Sequence, residues 1–386
     1  MTPEGPTDGL TVALDVTPLI GARSGVGHFV AEILDAMQAE PGIALIPYSL
    51  SLRARRGVGI PGLSRPAPGP SPLPPGTRQL PFPATAAIAA WGRLDQPSAE
   101  RWLAPATVVH GTNFVVPPMR GAAAVVTVHD LTFARYPEMV TADVRRFVPA
   151  LRRAVERGAW VHTPSQYVAA EAKEILGTDR IVAVPHGVPR IALPPSPLGG
   201  LVGDSQFILA MGTLEPRKNI ARLVEAFGPV AATHPGLQLL LAGADGPAKP
   251  AVLAAREALP ASLRKRVHVA GYVDERLRAT LLSRASVFAY PSLYEGFGFP
   301  VIEAMAAGTP VVAGEAGAIP EVAGDGALLV DPTDVDAIAD GLTRVLDDRA
   351  LADRLVRAGR QQAARYSWRR AADGLSELYR RAAAER

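Results

Sequence analysis

Short apolar runs rich in Val, Ile, Leu and Ala recur along the chain, each followed by a glycine-containing or polar stretch and then by a segment of helical spacing. In the first half the strand-like runs are residues 10–16, 43–49, 107–110, 123–127, 160–163 and 181–184. Helical periodicity covers 27–39, 142–157 and 166–176. In the second half the strand-like runs are 207–211, 237–242, 267–269, 285–289, 310–313 and 327–330, with helices after most of them. This alternation predicts parallel sheets covered by helices, in two consecutive doubly wound units. Open sheets of this kind bind ligands at the carboxyl ends of their strands, so two facing sheets would place a site in the cleft between them. A length of 386 residues suits two domains of ordinary size.

Two stretches interrupt the rhythm. Residues 193–200 (LPPSPLGG) are built to link and not to pack, and mark the expected boundary. Residues 61–83 are dense in proline and glycine, which excludes a helix or a central strand and predicts an exposed loop. A last helical segment starts near Tyr366, with Trp368, Leu375, Leu378 and Tyr379 on its apolar side.

The segment with most chemical content is residues 295–303, EGFGFPVIE. An apolar strand precedes it and a helix-forming run follows, with Pro300 where the helix would begin and Glu303 expected in its first turn. Helix N-terminal N–H groups suit phosphate or a hydroxylated ligand, and glycines permit close approach. Glu295 and Glu303 can each accept from a pair of adjacent hydroxyls, or serve merely as a loop charge and a dipole complement.

After the strand 207–211 comes Gly212-Thr-Leu-Glu-Pro-Arg-Lys-Asn219. Arg217 and Lys218 stand before a helix N-terminus, against the dipole preference for acids there, and require a compensating anion such as a diphosphate. His129 and Asp130 end the strand 123–127, and His110 ends a similar one and could face an acceptor; His186 reads as structural. Asp274 reads as an N-cap. Asp334 and Asp336 follow Thr333, whose spacing to Asp336 resembles a capping box better than a metal site.

Composition narrows the classes. Cysteine is absent, which excludes disulfides, thiolate metal sites and a thiol nucleophile, and is compatible with a cytoplasmic setting. The N-terminus lacks the basic-then-apolar pattern of a signal peptide, and no run approaches the length needed to span a bilayer. A net charge of only +3 argues weakly for nucleic acid or anionic membrane, and no nucleic-acid partner is expected. Arg145, Arg146, Arg152, Arg153 and Arg157 gather along one predicted helix, and Arg53, Arg55 and Arg56 form a second cluster. A solvated face is the simpler reading, and peripheral contact with anionic lipid the sharper one.

The run from Tyr290 to Val312, YPSLYEGFGFPVIEAMAAGTPVV, resembles the signature of retaining nucleotide-sugar glycosyltransferases, family 4, in which two glutamates are separated by seven residues. The resemblance implies the GT-B architecture: two Rossmann-like α/β domains, here 1–195 and 196–365, facing across a cleft that closes on the donor. A C-terminal helix, 366–386, would cross back to the first domain. It implies that Glu295 faces the donor sugar and Glu303 the ribose, and that Arg217 and Lys218 hold the diphosphate, with Gly212, Gly298, Phe299 and Pro300 around it. Gly25 and Gly27 would approach the sugar and diphosphate, His129 would contact the sugar, and Tyr272 and Val273 would flank the base. The expected co-substrate is a nucleotide diphosphate sugar, with neither metal nor other cofactor, and the acceptor a glycan or lipid-linked sugar. The stretch from Val128 to Pro137 is similar to mannosyltransferases of polysaccharide assembly, so GDP-mannose is the first expectation and UDP- or dTDP-sugars the alternatives. A glycoside hydrolase also pairs carboxylates but needs no Arg217–Lys218 anion site. A non-catalytic nucleotide-sugar or glycan binder on the same scaffold stays open.

Overall fold

The apolar runs form strands because both of their faces are covered: Val12, Ala13, Leu14, Val108, Val109, Val125 and Val126 are fully buried in one sheet, and Ile208, Leu209, Leu239 and Leu240 in another. The computed structural model describes residues 9–20, 25–50, 73–140, 145–189, 198, 202–203 and 205–386. The Arg53, Arg55 and Arg56 cluster, the turn residues 21–24 and nearly all of the expected linker lie outside the described residues. The chain divides into two compact units, Met1–Gly187 with Ser367–Arg386, and Val188–Tyr366.

In the first unit the strands are β1 (Leu10–Asp15), β2 (Ile43–Ser49), β3 (Arg78–Gln79), β4 (Val108–Gly111), β5 (Ala123–Thr127), β6 (Trp160–Thr163) and β7 (Ile181–Ala183). Among the described residues they make one sheet in the order β3-β2-β1-β4-β5-β6-β7, every neighbour parallel. Helices α1 (Gly25–Gln38), α2 (Ala84–Trp91), α3 (Val148–Glu156) and α4 (Gln166–Leu176) run between strands. Two expectations are corrected. The proline-rich stretch is not all loop: Arg78 and Gln79, a proline-free pair within it, form an edge strand on β2 with Leu80 buried behind it. The helix expected over 142–157 is interrupted: Arg145 is helical, residues 146–147 form a turn, and α3 begins at Val148 with Pro149, which has no N–H to continue a helix from Arg145, in its first turn. Its arginines are a solvated face in part: Arg145, Arg146 and Arg152 are exposed, while Arg153 and Arg157 both pair with Asp95.

In the second unit the strands are β8 (Phe207–Met211), β9 (Gln238–Ala242), β10 (Val267–Gly271), β11 (Val287–Tyr290), β12 (Val311–Gly314) and β13 (Ala327–Val330). Their order is β10-β9-β8-β11-β12-β13, again parallel throughout. Helices α5 (Ile220–Thr233), α6 (Lys249–Ala258), α7 (Glu275–Arg284), α8 (Phe299–Ala307), α9 (Val335–Asp347) and α10 (Arg349–Ala363) surround the sheet. Asp274 caps α7 by accepting from the Leu277 N–H at 2.8 Å. The cap of α9 is Asp334 and not Thr333, whose hydroxyl is spent on Asp331; Asp334 accepts from the N–H groups of Asp336 and Ala337. Among the described residues no helix is long and apolar enough to cross a membrane.

The last helix, α11 (Trp368–Ala384), belongs to the first unit, and Trp368, Leu375, Leu378 and Tyr379 are buried there. A buried hydrogen-bond chain fastens it to the sheet. Tyr379 meets His110 Nδ1 at 2.7 Å, His110 Nε2 meets Thr127 Oγ1 at 2.7 Å, Thr127 Oγ1 meets His162 Nδ1 at 2.9 Å, and His162 Nε2 meets the Val184 carbonyl at 3.0 Å. A carbonyl only accepts, so His162 Nε2 carries a proton and every other link is fixed in direction. Tyr379 donates to His110, His110 to Thr127, Thr127 to His162. These directions hold with both imidazoles neutral, and burial holds both below the ordinary histidine value, His162 at about 4.

All four tryptophans, Trp91, Trp102, Trp160 and Trp368, lie in the first unit, so their fluorescence reports its unfolding alone. A histidine depressed in the folded state contributes stability that is present above its unfolded value near 6.5 and lost as pH falls towards 4. The first unit is therefore expected to lose roughly 1.4 kcal/mol per pH unit for each such histidine over that window. Tyr379→Phe, which strands His110 Nδ1, is expected to cost about 1–3 kcal/mol at neutral pH. A flat fluorescence-detected stability between pH 6.5 and 4.5 contradicts this account.

Candidate active site

In the second unit the strand order reverses between β8 and β11: β9 and β10 lie on one side, β12 and β13 on the other. Loops leaving the carboxyl ends of the two strands at such a point diverge and leave a crevice. The loop after β8 carries Arg217 and Lys218, and the loop after β11 carries Glu295. Residues 216–218 form one tight helical turn, and Asn219 takes a left-handed conformation (φ 58°) before α5, which Asn tolerates best among non-glycine residues. Its side-chain amide donates to the carbonyls of Pro291 at 3.1 Å and Pro332 at 2.6 Å, past the ends of β11 and β13. The Leu293 N–H bonds to the Arg217 carbonyl at 2.8 Å, so the two loops are joined through their backbones.

The compensating anion that two adjacent cations require is present in the protein itself. Arg217 donates to Glu295 Oε2 at 2.7 Å and Lys218 to Glu295 Oε1 at 2.6 Å. Lys218 also donates to the Tyr290 hydroxyl at 2.5 Å and lies 4.9 Å from the centre of that ring. Glu215 adds a second carboxylate, 3.0 Å from Arg217. Lys218 and Glu295 are not solvated loop charges, being 8 % and 6 % exposed, while Arg217 and Glu215 are partly exposed. Burial by itself pushes the Glu295 carboxyl up, but Arg217 and Lys218 outweigh it and hold it at about 2. Burial and the neighbouring Arg217 pull the Lys218 ammonium below its ordinary value, with Glu295 opposing. Gly212, at φ 140°, is a position where a side chain would be strained, and the Lys218 stem passes beside it.

Glu303 stands apart from this cluster. Gly298, at φ 100°, caps α8, and Phe299, Pro300 and Val301 form its first residues. The helix starts at Phe299, one residue before the expected start, so Glu303 is its fifth residue, just beyond the first turn whose dipole it was expected to complement. Its carboxylate is almost fully buried and accepts from Arg278 of α7. Burial outweighs Arg278 here and raises the carboxyl to about 7. Tyr272, after β10, is 59 % exposed and Val273 beside it half-buried, surfaces on which a planar ring can rest.

In the first unit His129 Nε2 donates to the Thr112 carbonyl at 2.8 Å, which leaves Nδ1 as an acceptor. Burial pulls it below the usual histidine value, so the ring is neutral. His129 packs edge-on against Phe29 at 5.3 Å. Gly25 opens α1 and is exposed, and Gly27 is buried. His110 does not face outward for an acceptor: it is fully buried in the chain ending at Tyr379. His186 is buried, its ring 4.4 Å from Phe29. Among the described residues no group of three or more His, Asp or Glu is placed to hold a metal ion. Arg278, Tyr290 and Asn219 were not singled out from sequence. The positive charge on α7 at helical spacing from the Asp274 cap was the available signal for Arg278; nothing in the linear pattern pairs Tyr290 with Lys218.

A family model described as "Glycosyl transferases group 1" matches residues 199–362, the part that holds Arg217, Lys218, Glu295 and Glu303. The O-antigen chain mannosyltransferase B of Escherichia coli is 31% identical over 272 residues, covering 68% of this chain and 71% of that protein. A phosphatidyl-myo-inositol mannosyltransferase of Mycobacterium tuberculosis is 33% identical over 215 residues, 53% of this chain and 55% of its own length. Among solved structures, the sucrose-phosphate synthase of Thermosynechococcus elongatus superposes with a TM-score of 0.71 at 21% identity, over 98% of this chain and 100% of that one, a likeness of fold.

The ion cluster should be energetically coupled. Glu295→Gln leaves the buried Lys218 without its carboxylate, while Arg217 keeps only Glu215, and is expected to destabilise the second unit by about 3 kcal/mol. Adding Lys218→Met should restore part of the loss, with a coupling of about 1–3 kcal/mol in a double-mutant cycle followed by circular dichroism in denaturant. Because the Glu295 carboxyl is depressed, its contribution is present above about pH 4.5 and fades as pH falls through about 2. Strict additivity of the two substitutions would show the groups to be independent.

Proposed function

Because the chain belongs to the group 1 glycosyl transferases, with the GT-B fold, we propose that it moves mannose from GDP-mannose to a glycan or lipid-linked acceptor with retention of configuration. The observation that carries this reading is the convergence of Arg217, Lys218 and Glu295 at the strand-order reversal of the second unit. Two cations beside a carboxylate form a site that can exchange partners. A donor diphosphate takes up Arg217, which can bind two phosphate oxygens at once, and Lys218, which acts as a point charge. Glu295, released from them, is an acceptor for the hydroxyls of the sugar. As the bond between the anomeric carbon and the diphosphate breaks, negative charge grows on the leaving oxygen, and cations fixed before the reaction stabilise it. No carboxylate need become covalently bonded, and the departing phosphate can take the acceptor's proton. Glu303 is assigned to the ribose, Tyr272 and Val273 to the base, and His129 to the sugar.

Mannose is the named substrate of both relatives described above, and it comes to this chain only as the first donor to test. UDP- and dTDP-sugars are the alternatives, and a donor-binding protein without transferase activity is the competing class. We assign no metal to the reaction, since Arg217 and Lys218 supply the charge that a metal would otherwise provide. A lipid-linked acceptor would bring the enzyme to the inner face of a membrane as a peripheral protein.

Arg217→Ala with Lys218→Ala is expected to reduce transfer by roughly 100- to 1000-fold and to weaken nucleoside diphosphate binding. Radiolabelled transfer from GDP-mannose, beside UDP- and dTDP-sugars, measures it; rates within a few-fold of wild type would exclude the diphosphate role. Product formation by the wild type from any of these donors separates transferase from binder.

Transfer is also expected to continue in excess EDTA. Complete loss, restored by Mg or Mn, would overturn the metal-free assignment.

A further inference from the structure

Glu303 and Arg278 make the second buried ion pair of the described candidate site, on α8 and α7, away from the cluster around Glu295. Arg278 holds Oε2, and a carboxylate has about four lone-pair sites, so acceptor capacity remains for a second group. The Glu303 side chain is 2 % exposed and that of Arg278 24 %, so the arginine lies between the buried acid and solvent. Elements packed against α8 also carry Glu275, Arg276 and Arg284 on α7, Tyr290 on β11, Glu321 after β12 and Arg360 on α10. Of all these, Arg278 is the group whose charge acts on the Glu303 carboxyl.

We propose that Arg278 is a positioning residue of the nucleotide site, which keeps the Glu303 carboxylate charged and oriented to accept the ribose hydroxyls. This rests on the assignment of Glu303 to the ribose. Without Arg278, burial acts on Glu303 unopposed. The acid then stays protonated at neutral pH, and its charge-assisted hydrogen bonds to the ribose become ordinary ones. Affinity lost in this way returns when the pH is raised far enough to ionise Glu303 again. A purely structural arginine would behave otherwise, since its loss would weaken binding at every pH and regardless of the ribose hydroxyls.

The test is the affinity of GDP divided by that of 2′,3′-dideoxy-GDP, measured by calorimetry across pH 6 to 10 (the uridine pair is used if UDP stabilises the wild type more). Taking the ratio removes the titration of the phosphate and of the base, which the two ligands share. In the wild type the ratio should rise with a midpoint near 7, where Glu303 titrates. In Arg278→Met it should fall roughly 10- to 100-fold at pH 7.5, the worth of one or two hydrogen bonds to a charged group, and recover at higher pH. Arg278→Lys keeps the charge and should hold the midpoint near that of the wild type; it also serves if Arg278→Met does not fold. Glu303→Gln should give a low ratio with no pH dependence. An Arg278→Met ratio with the wild-type size and midpoint overturns the proposal. A wild-type ratio near one overturns it together with the ribose assignment, and a wild type that binds none of GDP, UDP and dTDP removes the donor reading itself.

Discussion

The Glu295 carboxylate, shared by Arg217 and Lys218, is the interaction on which the rest of the site depends. Two cations on consecutive residues of a nearly buried turn repel one another, and each loses hydration. Only a buried anion within hydrogen-bond distance of both makes the arrangement stable without ligand. In the proposed reaction a diphosphate carries the charge that Glu295 supplies and takes its place. A site of this kind is preorganised: the cations stay fixed and only their counterion changes.

The scaffold explains why these residues can be held so closely. Parallel strands place all their carboxyl ends on one edge, and the reversal of order between β8 and β11 puts two successor loops side by side. Asn219 then ties the first loop to the chain beyond β11 and β13, and the Leu293 N–H ties the second loop to the first. From the other side the Ala318 N–H bonds to the Glu295 carbonyl at 2.9 Å, and Gly317 lies so near the Glu295 backbone that a side chain there would clash. The reactive groups are thus set by backbone contacts, which leaves their side chains free to change partners.

Most of the fold was legible because buried parallel strands are continuous apolar runs, and 43–49, 123–127, 160–163, 207–211 and 327–330 match to the residue. Local rules failed where a nearby competitor won. Asp331 claimed the Thr333 hydroxyl and passed the cap to Asp334. Pro149 broke an expected helix after Arg145, and a strand formed at the sheet edge within a proline-rich stretch. The two cations were legible because they oppose the dipole at a helix start, and the two glutamates because they bracket a glycine-rich loop that resembles a family signature. Their pairing was not, since Arg217 and Glu295 are 78 residues apart and meet only through sheet order. His110 misled for the opposite reason: a strand end usually faces a site, yet here a helix from the far end of the chain covers it.

The two glutamates of the motif also show how one chemical group acquires two behaviours. Both are buried, so desolvation raises both. Glu295 meets two cations and is driven to about 2, so it is a carboxylate at any physiological pH. Glu303 meets one and remains near 7. In the proposed exchange Glu295 gives up the two cations that depress it, and burial then pushes it back towards protonation unless the sugar hydroxyls donate in their place. Glu303 keeps its arginine throughout, and sits where small changes around it alter its charge. On this proposal Glu295 exchanges partners while Glu303 keeps a single one.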